Sequence, residues 1–307
     1  METKIIQYLP LTHTRATFKL ITRLNHFGID VILDLEDSVQ DPFSMDATSK
    51  IKESSRLSML EFIDSDRFKK LTLSRKPFIR INGISTKYFD ADIEMINQLA
   101  KKGFFFGGIF FPKTETREEI DKLISAINYQ TDIIPMIETV RGDSNAHSIV
   151  DHPKVDSFHY GHFDYALDSK QWPFLDPDHM EFWTKVDNYI LLGKKLNKTF
   201  IHTPFPFTKN PKLFWETIRF MNSRYNYSKI IICTLNAELS LSKPNKKISD
   251  LKFRKYEQKT ESSIKLAEMI IDDYESGRAN KRSFGISNNR FIPPHQYFAA
   301  KRFLEKG

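Results

Sequence analysis

Cysteine is nearly absent from this sequence of 307 residues, in which Cys233 is the one cysteine. A single thiol excludes an intrachain disulfide framework and a zinc site built on several cysteines, and it favours a reducing, cytoplasmic compartment.

Long apolar runs are also missing: nowhere do about 18 apolar residues follow one another, so we expect no membrane-spanning helix and no membrane partner. Glycine is scarce, with 11 residues. The lack of a Gly-rich phosphate loop of the Walker or dinucleotide type argues against a nucleotide-driven or NAD-dependent enzyme.

Negative charge is the less abundant sign, since 39 Asp and Glu face 46 Lys and Arg and leave a net charge of +7. This excess is compatible with nucleic acid, an anionic surface or small anions as partners. Three basic segments lie near the C-terminus, at 243–247, 252–255 and 278–282. Lys-rich helix faces are usually solvated and no recognition motif accompanies these segments, so we expect no nucleic-acid partner.

Short apolar runs recur along the chain, each followed by an amphipathic stretch, and they predict eight strands. The runs are Lys4 to Leu9, Asp30 to Leu35, Pro77 to Ile81, Gly108 to Phe111, Asp132 to Ile137, Val155 to Tyr160, Thr199 to His202 and Lys229 to Cys233. Runs that are apolar throughout are typical of parallel strands covered on both faces. Helical patterns such as 88–102 and 117–128 supply the covering apolar faces. Eight such units in about 240 residues favour a closed (β/α)8 TIM barrel over an open doubly wound sheet.

The C-terminal region differs from the repeated units. It contains a charged helical pattern from about Leu251 to Tyr274, a polar turn after Gly277 and a final helix from about Pro294 to Leu304. We therefore predict a barrel catalytic domain over residues 1–239. Residues 240–307 would form a helical extension that packs on the barrel or on a neighbouring subunit.

Polar residues interrupt the predicted strands at their C-terminal ends. The ends of strands two to six read Asp34-Leu-Glu36-Asp37, Arg80-Ile-Asn82, Phe111-Pro-Lys113, Glu138-Thr139 and Tyr160-Gly161 to Asp164. Each charge alone is compatible with a helix cap or a solvated loop. In a barrel, however, these ends meet at the rim where active sites are built. Because buried charges must pair or hold an ion, five successive interruptions predict a shared polar site.

The residue types in this predicted site indicate its chemistry. Carboxylates without a His or Cys cluster suit a hard cation such as Mg²⁺, with Mn²⁺ as an alternative. Arg80 offers a planar pair of donors for a carboxylate or an enolate. His159 and His162 have no third ligand spaced nearby, which argues against zinc. A cation and a guanidinium together would stabilise negative charge on an oxygen of a small anion.

With these strand ends, the chain resembles the HpcH/HpaI aldolase and citrate lyase β-subunit-like superfamily of divalent-metal carbon–carbon lyases. The matching pieces are Val31-Ile-Leu-Asp-Leu-Glu-Asp-Ser-Val39, Ile79-Arg-Ile-Asn82, Phe111-Pro-Lys113 with Glu115, Ile137-Glu-Thr-Val-Arg-Gly142 with Asn145-Ala146, and Gly161-His-Phe-Asp164. The stretch from Gly285 to Leu304 is similar to the closing segment of the family. The resemblance runs nearly from end to end of the sequence.

The resemblance implies a role for each matching residue. Glu138 and Asp164 would be the carboxylate ligands of the metal, and Arg80 would bind the substrate. Asp37 with Glu36 would hold waters in the metal's outer shell. The expected site is therefore catalytic Arg80, Glu138 and Asp37, substrate-binding Arg80, Arg15, Glu36, Lys113 and Gly161, and metal-binding Glu138 and Asp164.

The resemblance also implies an activity. Members of the family make or break a bond next to a carbonyl, by retro-aldol or retro-Claisen cleavage or the reverse condensation. The expected substrate is a small hydroxy or keto acid or its acyl-CoA thioester, so that CoA would enter as part of the substrate. A homo-oligomer, a trimer or hexamer, is the expected assembly.

Three departures from the family pattern leave a second function open. Pro293 stands where the CoA-lyase branch has an Asp that reaches a neighbouring active site as an acid or base. Histidine side chains in general titrate near neutrality, so His295 is a candidate to replace that Asp as acid or base, but we expect a surface histidine at a helix start. Cys233-Thr-Leu-Asn236 replaces Ile-His-Pro, and Leu9 to Arg15 replaces a Pro-Gly-x-Arg loop. The two hypotheses are a lyase with an unassigned substrate and a catalytically silent ligand- and metal-binding or assembly subunit.

Overall fold

The structure, a computed structural model, describes residues 4–225, 227–244, 248–254, 260–279, 284–287 and 290–305. Parts of the three basic segments, at 245–247, 255 and 280–282, therefore lie outside the described residues. Within the described ranges, every helix is too short or too polar to cross a bilayer.

Eight parallel strands in chain order form a closed barrel, which confirms the predicted (β/α)8 fold. The strands are β1 (Lys4–Pro10), β2 (Asp30–Asp34), β3 (Phe78–Arg80), β4 (Ile109–Phe111), β5 (Ile133–Ile137), β6 (Ser157–Tyr160), β7 (Thr199–Phe205) and β8 (Ile230–Thr234). Each strand overlaps its predicted run. All five residues of β5 are buried, as expected for a strand covered on both faces.

Helices follow the strands in the order that the amphipathic stretches predict. Up to β8 they are α1 (Thr14–His26), α2 (Met45–Asp64), α3 (Asp66–Lys69), α4 (Phe89–Lys101), α5 (Arg117–Ala126), α6 (Val140–Ser144), α7 (Ala146–Val150), α8 (His162–Asp168), α9 (Met180–Leu196) and α10 (Pro211–Arg224). The patterns at 88–102 and 117–128 correspond to α4 and α5. A capping box of Thr116 and Glu119 begins α5, because each side chain bonds to the other residue's backbone N–H.

The C-terminal region contains a hairpin that the sequence patterns did not predict. After β8 come α11 (Ala237–Ser240), α12 (Thr260–Ala279), β9 (Gly285–Ser287), β10 (Arg290–Ile292) and α13 (Pro294–Leu304). Strands β9 and β10 pair antiparallel. The last helix lies where it was predicted.

The long charged helix was predicted from about Leu251, and this start is wrong for the described residues before α12; residues 255–259 lie outside the description, and α12 is described from Thr260. The segment 251–254 is not helical. There the backbone N–H of Arg254 donates to the carbonyl of Asp178 at 2.7 Å, and its guanidinium Nη2 donates to the Asp178 carboxylate at 2.9 Å. These long-range bonds outweigh local helix propensity. α12 continues to Ala279, so the turn expected after Gly277 does not begin directly after that residue, and residues 280–283 lie outside the described residues.

The chain forms two compact units. The N-terminal unit comprises Ile5–Ile137 and Arg141–His159, and the C-terminal unit comprises Met1–Lys4, Glu138–Val140 and Tyr160–Gly307. Phenylalanine rings fill part of the first core: Phe18 lies 5.0 Å from Phe62 and 5.7 Å from Phe68, between ring centroids. In the second, Tyr274 of α12 stacks on Tyr297 of α13 at 4.5 Å. The domain boundary at residue 239 stays a prediction.

Candidate active site

Arg80, in the N-terminal unit, is the centre of a buried ion-pair network. It ends β3 directly opposite Asp34, which ends β2, because the parallel register pairs these two residues. Arg80 Nε donates to Asp34 Oδ1 at 2.6 Å and Nη2 donates to Oδ2 at 2.6 Å, which is a two-pronged guanidinium–carboxylate pair. The ring of Tyr8 lies 5.0 Å from the guanidinium carbon. Both the plane and the direction of Arg80 are therefore fixed.

Asp34 is the partner that the sequence analysis left out of the site. Burial alone raises the pKa of its carboxyl, but the charge and hydrogen bonds of Arg80, with hydrogen bonds at Ser38 and Glu36, outweigh burial and lower the pKa to about 2. The backbone N–H groups of Glu36 and Ser38 donate to it at 2.9 and 3.0 Å. Burial lowers the pKa of Arg80, yet the charges of Asp34, Glu36 and Asp37 raise it well above its usual value. Both groups are therefore ionised at neutral pH.

The predicted residues Glu36, Asp37 and Lys113 join the same network. Arg80 Nη1 lies 2.9 Å from Glu36 Oε2 and 3.4 Å from Asp37 Oδ2. Lys113 Nζ lies 2.8 Å from Glu36 Oε1. Asp37 is the most exposed of the three carboxylates around Arg80, at 24%. The longest ion pair of Arg80 therefore lies on its most open side.

Lys52 is a buried cation that sequence reasoning also missed. Its ammonium donates to the carbonyl oxygens of Leu35 and Glu36 at 2.5 and 2.7 Å. Burial lowers its pKa, and the carboxylates of the network oppose that effect. The two carbonyls belong to the segment after β2, so Lys52 fastens the loop that carries Glu36 and Asp37.

Arg15 differs from the residues of this buried network, because its side chain is exposed to solvent. It lies in the first turn of α1. Its role as an anion contact stays a prediction.

In the C-terminal unit, Glu138 and Gly161 lie against each other. Glu138 follows β5 and is 1% exposed. A Cβ built on Gly161 would lie 2.6 Å from Glu138 Cβ and would overlap its carboxylate, so this position accepts no side chain. Gly161 precedes α8, and Asp164 lies in the first turn of that helix. The scarce glycine therefore lets the backbone that carries Asp164 approach Glu138 closely.

His295 was expected to be a surface histidine, and this expectation is wrong. Its Nε2 lies 3.1 Å from Asp164 Oδ1, and both side chains are 12% exposed. The physical reason is the packing of α13 on α8: Ala299 packs with Ala166, and Arg302 Nη1 donates to the carbonyl of Leu167 at 3.0 Å. No local sequence pattern shows this contact.

The two histidines considered for zinc lie on and after β6. His162 Nδ1 lies 3.1 Å from the Tyr160 hydroxyl and Nε2 lies 2.9 Å from the carbonyl of Leu175. Burial lowers the pKa of His162 to about 4. His159 Nε2 lies 3.4 Å from the Tyr8 hydroxyl. His162 is therefore a neutral histidine of the core at neutral pH, and His159 is buried as well.

The residues of the C-terminal unit fit a hard divalent cation. Glu138 and Asp164 supply carboxylate oxygens, the ligands that Mg²⁺ prefers. The place where a Cβ of Gly161 would lie is filled by the Glu138 carboxylate, so this glycine is required by the position of a proposed ligand. The site assignment itself stays a prediction.

Comparisons with known proteins agree with this architecture. A model of the HpcH/HpaI aldolase/citrate lyase family matches residues 5–210. RipC from Yersinia pestis is 22% identical, with 78% of this chain and 91% of RipC covered and a TM-score of 0.54. The citrate lyase β subunit from Mycobacterium tuberculosis complexed with oxaloacetate and magnesium is 16% identical, with 76% and 91% covered and a TM-score of 0.53.

A third structure, CitE from Mycobacterium tuberculosis with magnesium, acetoacetate and coenzyme A, is 15% identical, with 99% and 97% covered and a TM-score of 0.51. A search of curated proteins gave no match. At these identities the structural likeness shows the fold, whereas the family match spans more than half of the sequence. The chain belongs to the HpcH/HpaI aldolase/citrate lyase family.

Proposed function

We propose that this protein is a divalent-metal-dependent carbon–carbon lyase that acts on a small hydroxy or keto acid or on its acyl-CoA thioester. The reaction would break a bond next to a carbonyl: a base takes the proton of the substrate hydroxyl, the hydroxyl carbon becomes a carbonyl as the carbon–carbon bond cleaves, and the electron pair of that bond passes to the other fragment as an enolate, which then takes up a proton. Family membership supports the reaction class. The related CitE structure with magnesium, acetoacetate and coenzyme A supports this class of ligand.

Glu138 and Asp164 would hold the Mg²⁺ ion in this proposal. The ion would supply Lewis-acid stabilisation of the negative charge that develops on a substrate oxygen. The contact between Glu138 and Gly161 is the observation that carries the assignment, because it joins two separate family motifs at one place. Glu138 is 1% exposed, so its carboxylate is shielded from bulk water.

Arg80 would bind the anionic end of the substrate and stabilise the enolate. Asp34 holds Nε and Nη2 through two bonds of 2.6 Å, which leaves Nη1 as the edge that can exchange partners. The 3.4 Å pair with partly exposed Asp37 is the longest contact of that edge. We propose that a substrate carboxylate displaces Asp37 from Nη1 while Lys113 keeps Glu36 in place.

The charges around Arg80 explain why such a substrate would need a cation. Three cationic side chains face three carboxylates, so the network is neutral: Arg80, Lys52 and Lys113 against Asp34, Glu36 and Asp37. An anionic substrate therefore finds no net positive charge in this network. A divalent ion would supply the compensating charge.

The test is turnover of a panel of hydroxy and keto acids and their CoA thioesters with Mg²⁺ or Mn²⁺ present. The readout is release of pyruvate, glyoxylate or an acetyl thioester. Losing a metal ligand removes several kcal/mol of transition-state stabilisation, so Glu138→Gln would lower kcat/KM by about 10³-fold or more. Glu53→Gln, the same change at an exposed position of α2, is the control and would leave turnover unchanged.

A catalytically silent ligand- and metal-binding or assembly subunit is the second candidate function. Pro293, which cannot transfer a proton, stands where the CoA-lyase branch places an acid or base. Metal binding without turnover across the whole panel would favour this candidate. Turnover that survives Glu138→Gln would contradict the metal assignment.

A further inference from the structure

We propose that His295 is a third protein ligand of the divalent metal, beside Glu138 and Asp164. The proposal rests on the proposed metal site and adds a nitrogen donor to it. The observation that carries it is the position of His295 Nε2, 3.1 Å from Asp164 Oδ1. The expected donor set is then two carboxylates and one imidazole from a single chain.

The local sequence holds His295 in this position. Pro293 caps α13 with φ near −74° and Pro294 occupies the first helical turn, so the backbone entering the helix has little freedom. The helix then packs on α8 through Ala299 and Ala166. Both His295 and Asp164 lie in the first turns of their helices, so this packing brings the two side chains together.

The distance between the two donor atoms suits ligands of one ion. Adjacent ligands of a six-coordinate ion with bonds of about 2.1 Å lie about 3 Å apart, because they span the edge of an octahedron. The Asp164 Oδ1 to His295 Nε2 distance is 3.1 Å. This spacing matches that of two adjacent ligands of one ion.

A nitrogen donor changes which metals the site prefers. Imidazole suits first-row transition ions, whereas Mg²⁺ prefers carboxylate, carbonyl and water oxygens. Affinity for N/O sites rises from Mn²⁺ through Fe²⁺ to Co²⁺. The site would thus bind Mn²⁺ and Co²⁺ in preference to Mg²⁺, and the preference would depend on His295.

The test is metal binding to the whole metal-free protein, followed by electron paramagnetic resonance of bound Mn²⁺. Pulsed spectra report a nitrogen nucleus coordinated to the ion. We expect a ¹⁴N coupling in the wild type that is lost in His295→Phe, together with about tenfold or greater weakening of Mn²⁺ binding. Mg²⁺ affinity, measured by competition, would change less. His26→Phe, at an exposed position of α1, is the control and would leave both readouts unchanged.

The outcomes separate this inference from the proposed function. Mn²⁺ that binds, is lost with Glu138→Gln and shows no ¹⁴N coupling in the wild type overturns the role of His295 and leaves the carboxylate site standing. A coupling that persists in His295→Phe also overturns it. Mn²⁺ binding that Glu138→Gln does not weaken contradicts the metal site itself. If His295→Phe does not fold, His295→Gln replaces it in the same measurement, and a wild-type spectrum without a coupling that changes on ¹⁵N-histidine labelling overturns the role of His295.

Discussion

Replacing Asp34 by asparagine tests the ion pair that holds Arg80. The side chain keeps its shape and loses its charge, so Arg80 loses a buried partner that bonds it at two positions. The lowering of the Asp34 pKa from 3.8 to about 2 corresponds to about 2 kcal/mol of stability at neutral pH. Breaking a buried pair typically costs about 3–5 kcal/mol. We expect the free energy of unfolding of Asp34→Asn to fall by about 3 kcal/mol at pH 7.

The pH dependence of this loss has a definite sign. The folded pKa lies below the unfolded one, so the stabilisation is complete above pH 3.8 and is lost as the pH falls through about 2. At pH 3 about half of the linked stabilisation, roughly 1 kcal/mol, would remain. The gap between wild type and Asp34→Asn should therefore shrink between pH 7 and pH 3.

Urea unfolding followed by tryptophan fluorescence at the two pH values measures this gap. Asp151→Asn, the same change at an exposed carboxylate after α7, is the control and should alter stability by less than about 0.5 kcal/mol. Equal stability of Asp34→Asn and the control at pH 7 would refute the reasoning. So would a gap that is as large at pH 3 as at pH 7.

Two further predictions follow from the glycine and histidine positions. Gly161→Ala should abolish Mn²⁺ binding in a titration, because the added Cβ would overlap the Glu138 carboxylate, while the circular dichroism spectrum stays native. The control is Gly83→Ala, whose Cβ would meet only ordinary contacts at 3.7 Å and beyond, and this variant should bind Mn²⁺ normally. Burial lowers the pKa of His202 from 6.5 to about 4, so between pH 7 and pH 5 the unfolded chain takes up a proton that the folded chain does not. The contribution of this residue should therefore lower the free energy of unfolding of the wild type by about 2 kcal/mol between pH 7 and pH 5. His202→Phe should remove that share of the pH dependence in urea unfolding, and an unchanged dependence would contradict the cause assigned to the pKa.

Much of the fold was predictable because it depends on local patterns. Continuous apolar runs are typical of strands covered on both faces, and all eight strands of the barrel overlap the runs that predicted them. The predicted helix start at Leu251 was wrong because Arg254 hydrogen-bonds to Asp178, which lies 76 residues earlier in the chain. A periodic pattern cannot include such a partner.

The residues of the candidate site likewise include some that the sequence indicated and some that it did not. Arg80, Glu138 and Asp164 were predicted because polar residues at the ends of apolar strands are unusual in a sequence and because these residues match the motifs of the family; their roles stay predictions. Asp34 was overlooked although it ends a strand, because its role depends on the register of β2 against β3. Lys52 was overlooked because a lysine in an amphipathic helix is normally solvated, whereas here two backbone carbonyls accept its hydrogen bonds.

By itself, the sequence determined the barrel class, the order of the strands and the residue types at their ends, since these follow from apolar periodicity and from short motifs. The tertiary structure decided which charges pair. It placed Asp34 against Arg80 through strand register, and it brought His295 to Asp164 through the packing of α13 on α8. These pairings join residues far apart in the chain, so their energies depend on distances and burial that no local stretch of sequence contains.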